Sequence, residues 1–265
     1  MPKLVLVPSP IGNLKDISLR ALEVLRNTEV IAAEDTRHSK KLLNHYKIDK
    51  PLIRLDAHTI AKRAASVFEK YNNIAYLSDA GTPGISDPGA ELVRLALEHD
   101  FEVEVLPGAT AFVPALVLSG LDTSSFSFYG FLARKGGARK ARLEQIATSP
   151  VTSIIYESPK RVLKTLTELS KYCGPNRQAS VSREISKRFE TTVRGSLEEI
   201  ALVLQKTEPK GEFVIVISAA IAQAVDFEAA AYELREQGLR AKELREALIK
   251  QGAARNLAYK LSLIE

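Results

Sequence analysis

Between Leu4 and Val105 short apolar runs alternate with stretches whose apolar residues recur at helical spacing. That alternation admits few folds. Parallel strands need a crossover long enough to hold a helix, so the pattern predicts an α/β fold with a mainly parallel sheet. The expected strands are Leu4–Val7, Val30–Ala33, Leu52–Arg54, Ile74–Leu77 and Glu102–Val105. Ser18 suits an N-cap before Leu19, Leu22 and Leu25, and residues 88–98 set Leu92, Leu95 and Ala96 on one helical face. Ligands of open parallel sheets sit beyond the carboxyl ends of the strands. The turns after Val7, Ala33, Leu77 and Leu106 are therefore where chemistry is expected.

Residues 109–121 read as a helix broken or bent at Pro114, and polar Asp122–Ser125 as a connection. This gives an N-terminal α/β domain over 1–118 and a second over 122–220. The second half mixes strands (Phe126–Gly130, Thr152–Tyr156, Ala179–Ser182, Thr191–Arg194, Phe213–Ile217) with helices (Arg139–Ala147, Lys160–Lys171, Leu197–Lys206). These β-branched, closely spaced strands point to a smaller mixed sheet. From 226 to 265 the pattern is purely helical, divided by Gly238 and Gly252. The charges of this tail balance, so it reads as a packing or dimerisation appendage.

Composition removes several classes of function. Cys173 is the single cysteine, which excludes a disulfide-stapled fold. The apolar stretch Phe213–Val225 is shorter than the about 20 residues of a membrane span and is interrupted by Ser218 and Gln223. The run Leu4–Val7 ends at Pro8 and does not read as a signal peptide, so a cytoplasmic location is expected. His38, His45, His58 and His99 show no metal-ligand spacing, and no metal is expected. No G-x-G-x-x-G, P-loop or G-x-S-x-G occurs. With Lys+Arg 37 against Asp+Glu 32, the net charge of +5 permits a polyanionic partner without requiring one.

Three loops stand out. In Pro8-Ser9-Pro10-Ile11-Gly12-Asn13-Leu14 two prolines stiffen the backbone, although an ordinary βα turn has the same look. The segment Ser78-Asp79-Ala80-Gly81-Thr82-Pro83-Gly84-Ile85-Ser86-Asp87-Pro88-Gly89 is twice the usual loop length, and long ordered loops at this edge carry function. Its bland alternative is an elaborate helix cap at Asp87-Pro88. Pro107-Gly108-Ala109-Thr110-Ala111 leaves room for a planar or adenosyl group.

These loops, with Glu34-Asp35-Thr36-Arg37, Tyr156-Glu157-Ser158-Pro159-Lys160-Arg161, Arg183-Glu184-Ile185-Ser186-Lys187 and Lys210-Gly211-Glu212-Phe213, resemble the tetrapyrrole methylase superfamily over about residues 3–218. Within it the chain resembles the ribosomal RNA small subunit methyltransferase I branch. The branch carries H-N-E where this chain has His58-Thr59-Ile60, so only the histidine carries over. The resemblance implies a two-domain fold of that family and S-adenosylmethionine-dependent 2′-O-ribose methylation of a cytidine in 16S rRNA within the small ribosomal subunit. It also implies a homodimer. Carried over, the cofactor would touch Pro10, Ile11, Asp79, Ala80, Gly81, Thr82, Ile85, Thr110 and Ala111, with Tyr156, Glu157, Gly211 and Phe213 closing the site.

Methyl transfer to an alcohol requires alignment and the loss of one proton. Glu34, Glu184 and His58 are the expected catalytic groups, with Asp35 a further candidate; salt bridges from Glu34 and Asp35 to Arg37 and Arg183 are the alternative. Cations gather in three places: Arg134, Lys135, Arg139, Lys140 and Arg142 after Tyr129 and Phe131; Arg37 with Lys40 and Lys41; and Lys160, Arg161 and Lys164. A cationic loop beside aromatics suits single-stranded RNA, while a solvated face is the plainer reading. Two other functions fit less well: methylation of a tetrapyrrole or protein acceptor, and a non-catalytic RNA-binding module.

Overall fold

A computed structural model describes residues 1–206, 209–220 and 227–263. It falls into two compact units, 1–220 and 221–265. Residues 221–225 of the apolar stretch and Asp226 at the expected start of the tail lie outside the described residues.

The first unit begins with strands β1 (Lys3–Val7), β2 (Val30–Ala33), β3 (Leu52–Arg54), β4 (Asn73–Leu77) and β5 (Glu102–Val105). They form one parallel sheet in the order β3-β2-β4-β1-β5. Helices α1 (Leu19–Asn27) and α2 (Thr36–His45) cover one face, α3 (Ile60–Lys70) and α4 (Gly89–Glu98) the other. Alternation within β1 supplies both cores, Leu4 and Leu6 facing α3 and α4 while Val5 and Val7 face α1 and α2. A strand buried on both faces is apolar throughout. Ser18 caps α1 as expected, its hydroxyl accepting the Ala21 N–H at 3.0 Å.

The strand order positions the site. Because β2, β4, β1 and β5 are successive neighbours, the loops leaving their carboxyl ends emerge side by side. The first and second loops are joined outright: Ser9 and Gly81 exchange two backbone hydrogen bonds of 2.9 Å. The Glu34 N–H donates to the Leu77 carbonyl at 3.2 Å, which draws the end of β2 to the end of β4.

Strands β6 (Phe126–Phe131), β7 (Thr152–Glu157), β8 (Gln178–Arg183), β9 (Thr191–Ser196) and β10 (Phe213–Ile217) form the second sheet, ordered β6-β7-β10-β8-β9. It is mixed, as expected: β6 runs parallel to β7, and the other pairs are antiparallel. On one face lie α6 (Gly137–Thr148), α7 (Val162–Cys173) and α8 (Leu197–Gln205), burying Ile146, Leu166 and Ile200 against Ile155 and Ile215. The other face is covered by α5 (Phe112–Ser119), whose Ala115 and Leu116 meet Ile154, Val214 and Val216. The expected break at Pro114 is absent. Pro114 sits in the first turn of α5, where its missing N–H has no partner to lose.

In the second unit, α9 (Phe227–Glu236), α10 (Ala241–Lys250) and α11 (Arg255–Leu263) bury Ala231, Leu244, Leu248, Ala258 and Leu261 together. Among the described residues no helix is long and apolar enough to cross a membrane.

Candidate active site

The converging loops enclose a cleft of about 320 Å³, with the second sheet as its far wall. Of the residues expected around a cofactor, Ile11, Asp79, Ala80, Gly81, Thr82, Ile85, Thr110, Ala111, Tyr156, Glu157 and Phe213 line it, and Pro10 and Gly211 do not. Gly81 adopts φ +78, and a Cβ there would stand 3.3 Å from the Ala109 carbonyl oxygen and 3.4 Å from Ile11 Cγ2. Only glycine gives this backbone both its turn and its close approach. Thr82 Oγ1 donates to the same Ala109 carbonyl at 3.0 Å, which ties the second loop to the third. The bland alternative for the second loop coexists with the cleft: Asp87 Oδ1 accepts the N–H groups of Gly84 at 2.8 Å and Gly89 at 2.7 Å.

The floor of the cleft is acidic. Glu34, Asp79 and Asp87 line it without forming any ion pair, and no Lys, Arg or His stands among its described lining residues. Asp79 Oδ1 accepts the Asp35 N–H at 3.0 Å, and Glu34 Oε2 faces the Asp79 N–H at 3.5 Å. Burial, reinforced by the charge of Asp79, raises the pKa of Glu34 above the usual range. Asp35 behaves oppositely. Hydrogen bonds from the Arg37 side chain and backbone hold its pKa down to about 2, so this pair realises the salt-bridge alternative that Glu34 escapes.

The far wall is braced by buried polar contacts. Glu157 is 1% exposed, and its carboxylate accepts from Arg161 Nε at 2.6 Å and Nη2 at 3.0 Å, Thr165 Oγ1 at 2.7 Å and the Ser158 N–H at 2.8 Å. Tyr156 is pushed up to about 12 by burial, so its hydroxyl stays neutral at working pH. Glu184 does not reach the cleft. Its Oε1 accepts from Lys187 Nζ and the Glu212 N–H, both at 2.9 Å, and it fills the space a side chain at Gly211 would need. Although burial opposes it, these bonds hold the Glu184 pKa below the usual range. In the structure Glu184 braces the start of β10. His58 is exposed and is not among the lining residues, and its backbone N–H binds Asp56.

The expected RNA-binding residues divide in the same way. Arg139 is 4% exposed and bonds to Glu168, Thr165 and the Ala133 carbonyl, so no phosphate can reach it. Arg161 is held by Glu157 and the Leu132 carbonyl. Both guanidinium groups are engaged within the protein. Arg142 lies over the Tyr129 ring at 4.6 Å. Lys140 approaches Glu144 at 3.6 Å, and Arg37 pairs with Asp35. Arg134, Lys135 and Lys160 are exposed and form no ion pair among the described residues.

Asp87, Phe131, Ile185, Glu212 and Val214 line the cleft without having been assigned to it. Asp87, Ile185 and Glu212 lie inside the motifs named above, which is the sequence signal for them. Phe131 has no such signal as a cleft residue, because a register shift in β6 between Phe128 and Phe131 decides which way it faces.

A family model described as Tetrapyrrole (Corrin/Porphyrin) Methylases matches residues 3–201. The ribosomal RNA small subunit methyltransferase I of Synechocystis sp. is 46% identical over 220 residues, covering 82% of this chain and 79% of that protein. Its Bacillus subtilis counterpart is 38% identical over 265 residues, covering 99% and 89%. Among solved structures, uroporphyrin-III C-methyl transferase from Thermus thermophilus complexed with S-adenyl homocysteine matches with TM-score 0.59 at 22% identity, covering 81% of this chain and 96% of that one. A diphthine synthase matches with TM-score 0.63 at 15% identity, covering 82% and 89%. These two share the fold. With its converging loops, acidic cleft and relatives of this identity, the chain belongs to the tetrapyrrole methylase family and, within it, to the ribosomal RNA small subunit methyltransferase I group.

Proposed function

We propose that the protein is an S-adenosylmethionine-dependent methyltransferase that modifies the 2′-hydroxyl of a cytidine in 16S rRNA, within the small ribosomal subunit and in the cytoplasm. One observation carries the cofactor part: a cleft at the ends of four adjacent strands presents three carboxylates without ion pairs and no described cationic side chain. Such a wall favours a cationic ligand. The relatives' names support the RNA acceptor.

The residues present fit the cofactor. Gly81 permits close backbone approach, Ile11, Ile85 and Val214 supply apolar walls, and the carboxylates complement positive charge. When bound, S-adenosylmethionine supplies a methyl group already activated on a sulfonium sulfur. The protein's own tasks are alignment and proton removal. Glu34 takes the role of general base, because its raised pKa strengthens it as a proton acceptor and it faces the cleft without a cation to neutralise it. Pro10 and Gly211 then act indirectly, through the loop and the strand start they shape. Outside the cleft, Arg134, Lys135 and Lys160 are exposed cations that could meet phosphates. The proposal includes a homodimer, since α5 leaves Val113 47% and Val117 68% exposed, and Phe126 nearby is 44% exposed.

Transfer of labelled methyl to small subunits lacking the modification, followed by nucleotide mapping, tests the proposal. Label on one cytidine 2′-oxygen is expected. Label on a base or a protein, or none, refutes it.

A further inference from the structure

The cleft is at the low end of the about 300–1,000 Å³ typical of small-molecule sites, so a second reactant must be held at its mouth. Phe131 stands there. It lines the cleft yet keeps 57% of its surface in solvent. The register shift in β6 turns it inward, and Gly130, at φ +61, makes the turn where a Cβ would meet Ser86 Oγ at 3.0 Å. The bulge thus rests on the second loop. Tyr156 steadies the ring by an edge contact, with centroids 5.6 Å apart and planes at 60°.

The other aromatics of β6 are engaged or distant. Phe128 stacks on Phe112 at 4.6 Å, Tyr129 is covered by the Arg142 guanidinium at 4.6 Å, and Phe126 lies at the opposite end of the strand. Three and four residues beyond Phe131, Arg134 and Lys135 are exposed and form no ion pair among the described residues. An open aromatic face followed by free cations matches an unstacked nucleotide, with the base on the ring and phosphates on the cations.

We infer that Phe131 is the platform on which the base of the target nucleotide stacks, with Arg134 and Lys135 holding the neighbouring phosphates. The inference rests on the RNA reading above and adds to it that the nucleotide is unpaired or flipped, because a base in a duplex has no free face.

The chain contains no tryptophan, so Phe131→Trp introduces a single fluorescent reporter. The variant, loaded with S-adenosylhomocysteine, is titrated with a cytidine-containing single-stranded RNA oligonucleotide and with the same oligonucleotide bearing an abasic ribose at that cytidine. Polarisation of an end label records binding in parallel. Quenching by the first RNA and not the second is expected. Quenching by S-adenosylhomocysteine alone assigns the ring to the cofactor and overturns the inference, as does RNA binding without quenching. If the wild type neither binds this RNA nor methylates small subunits, the RNA reading fails and takes the inference with it. In small-subunit methylation, Phe131→Ala is expected to lower kcat/KM roughly 5- to 150-fold at unchanged S-adenosylhomocysteine affinity, with Phe131→Tyr restoring it. Equal losses in Ala and Tyr variants contradict a stacking role.

Discussion

Replacing Arg161 by methionine separates a buried brace from a phosphate contact. The substitution keeps an apolar stem and removes the guanidinium, and with it two of the four hydrogen bonds to the Glu157 carboxylate. The Leu132 carbonyl also loses its donor, at 2.9 Å. The Glu157 side chain is 0% exposed, so water cannot replace the lost partner, while Arg161 at 24% leaves some screening. Breaking a buried pair costs about 3–5 kcal/mol, and that screening points to about 3. For a unit of this size the fall in Tm is about 2–4 °C per kcal/mol, hence roughly 6–12 °C. The double variant Glu157→Gln with Arg161→Met is expected to recover most of the loss, because a neutral amide no longer strands a charge. Thermal unfolding by circular dichroism at pH 7 measures both. The reasoning is refuted if Arg161→Met melts within about 1 °C of wild type, or if the double variant is no more stable than the single.

Glu34→Gln is expected to lower kcat by about 10²–10⁴-fold with S-adenosylhomocysteine still bound. A carboxylate whose folded pKa is raised contributes stability below that pKa and loses it as pH rises through it, so at pH 7 the Gln variant should melt at or above the wild-type temperature. A lower Tm at pH 7, or full activity, would contradict the assigned role. Gly81→Val forces a Cβ against Ala109 and Ile11 at φ +78, a strain of about 1–3 kcal/mol. Calorimetry should find S-adenosylhomocysteine binding abolished in a folded protein, and retained affinity would mean the second loop does not hold the cofactor. Arg134→Ala with Lys135→Ala should flatten the salt dependence of RNA affinity by about 1.4 in log–log slope, at about 0.7 per single-strand phosphate contact. An unchanged slope removes these two cations from the RNA path.

Much of the fold was legible because its signals are local. Runs such as Val30–Ala33 and Ile74–Leu77 are apolar throughout because the sheet buries them on both faces, and each expected strand is found within a residue or two. The three loops were legible as well, since prolines and glycines mark their own backbone. Pro114 was misread because proline breaks a helix only beyond its first turn, and sequence does not fix where α5 begins. Phe131 was legible as an aromatic beside the cationic loop but not as part of the cleft, because a strand bulge leaves no clear mark in the residues that form it.

By itself, then, the sequence determined the order of elements, the loops at the strand ends and the family to which they are similar. Only the tertiary structure decided which charged side chains are free to act. Glu34 and Glu184 look alike in sequence, each in a charged string after a strand, yet Glu184 is held by Lys187 and by the Glu212 N–H 28 residues on. Arg139 and Lys140 are adjacent, yet Arg139 is buried on Glu168, 29 residues away. A charge is neutralised by whatever lies within a few ångströms, and those neighbours come from distant parts of the chain. Periodicity predicts which face is buried; it does not predict the partner found there.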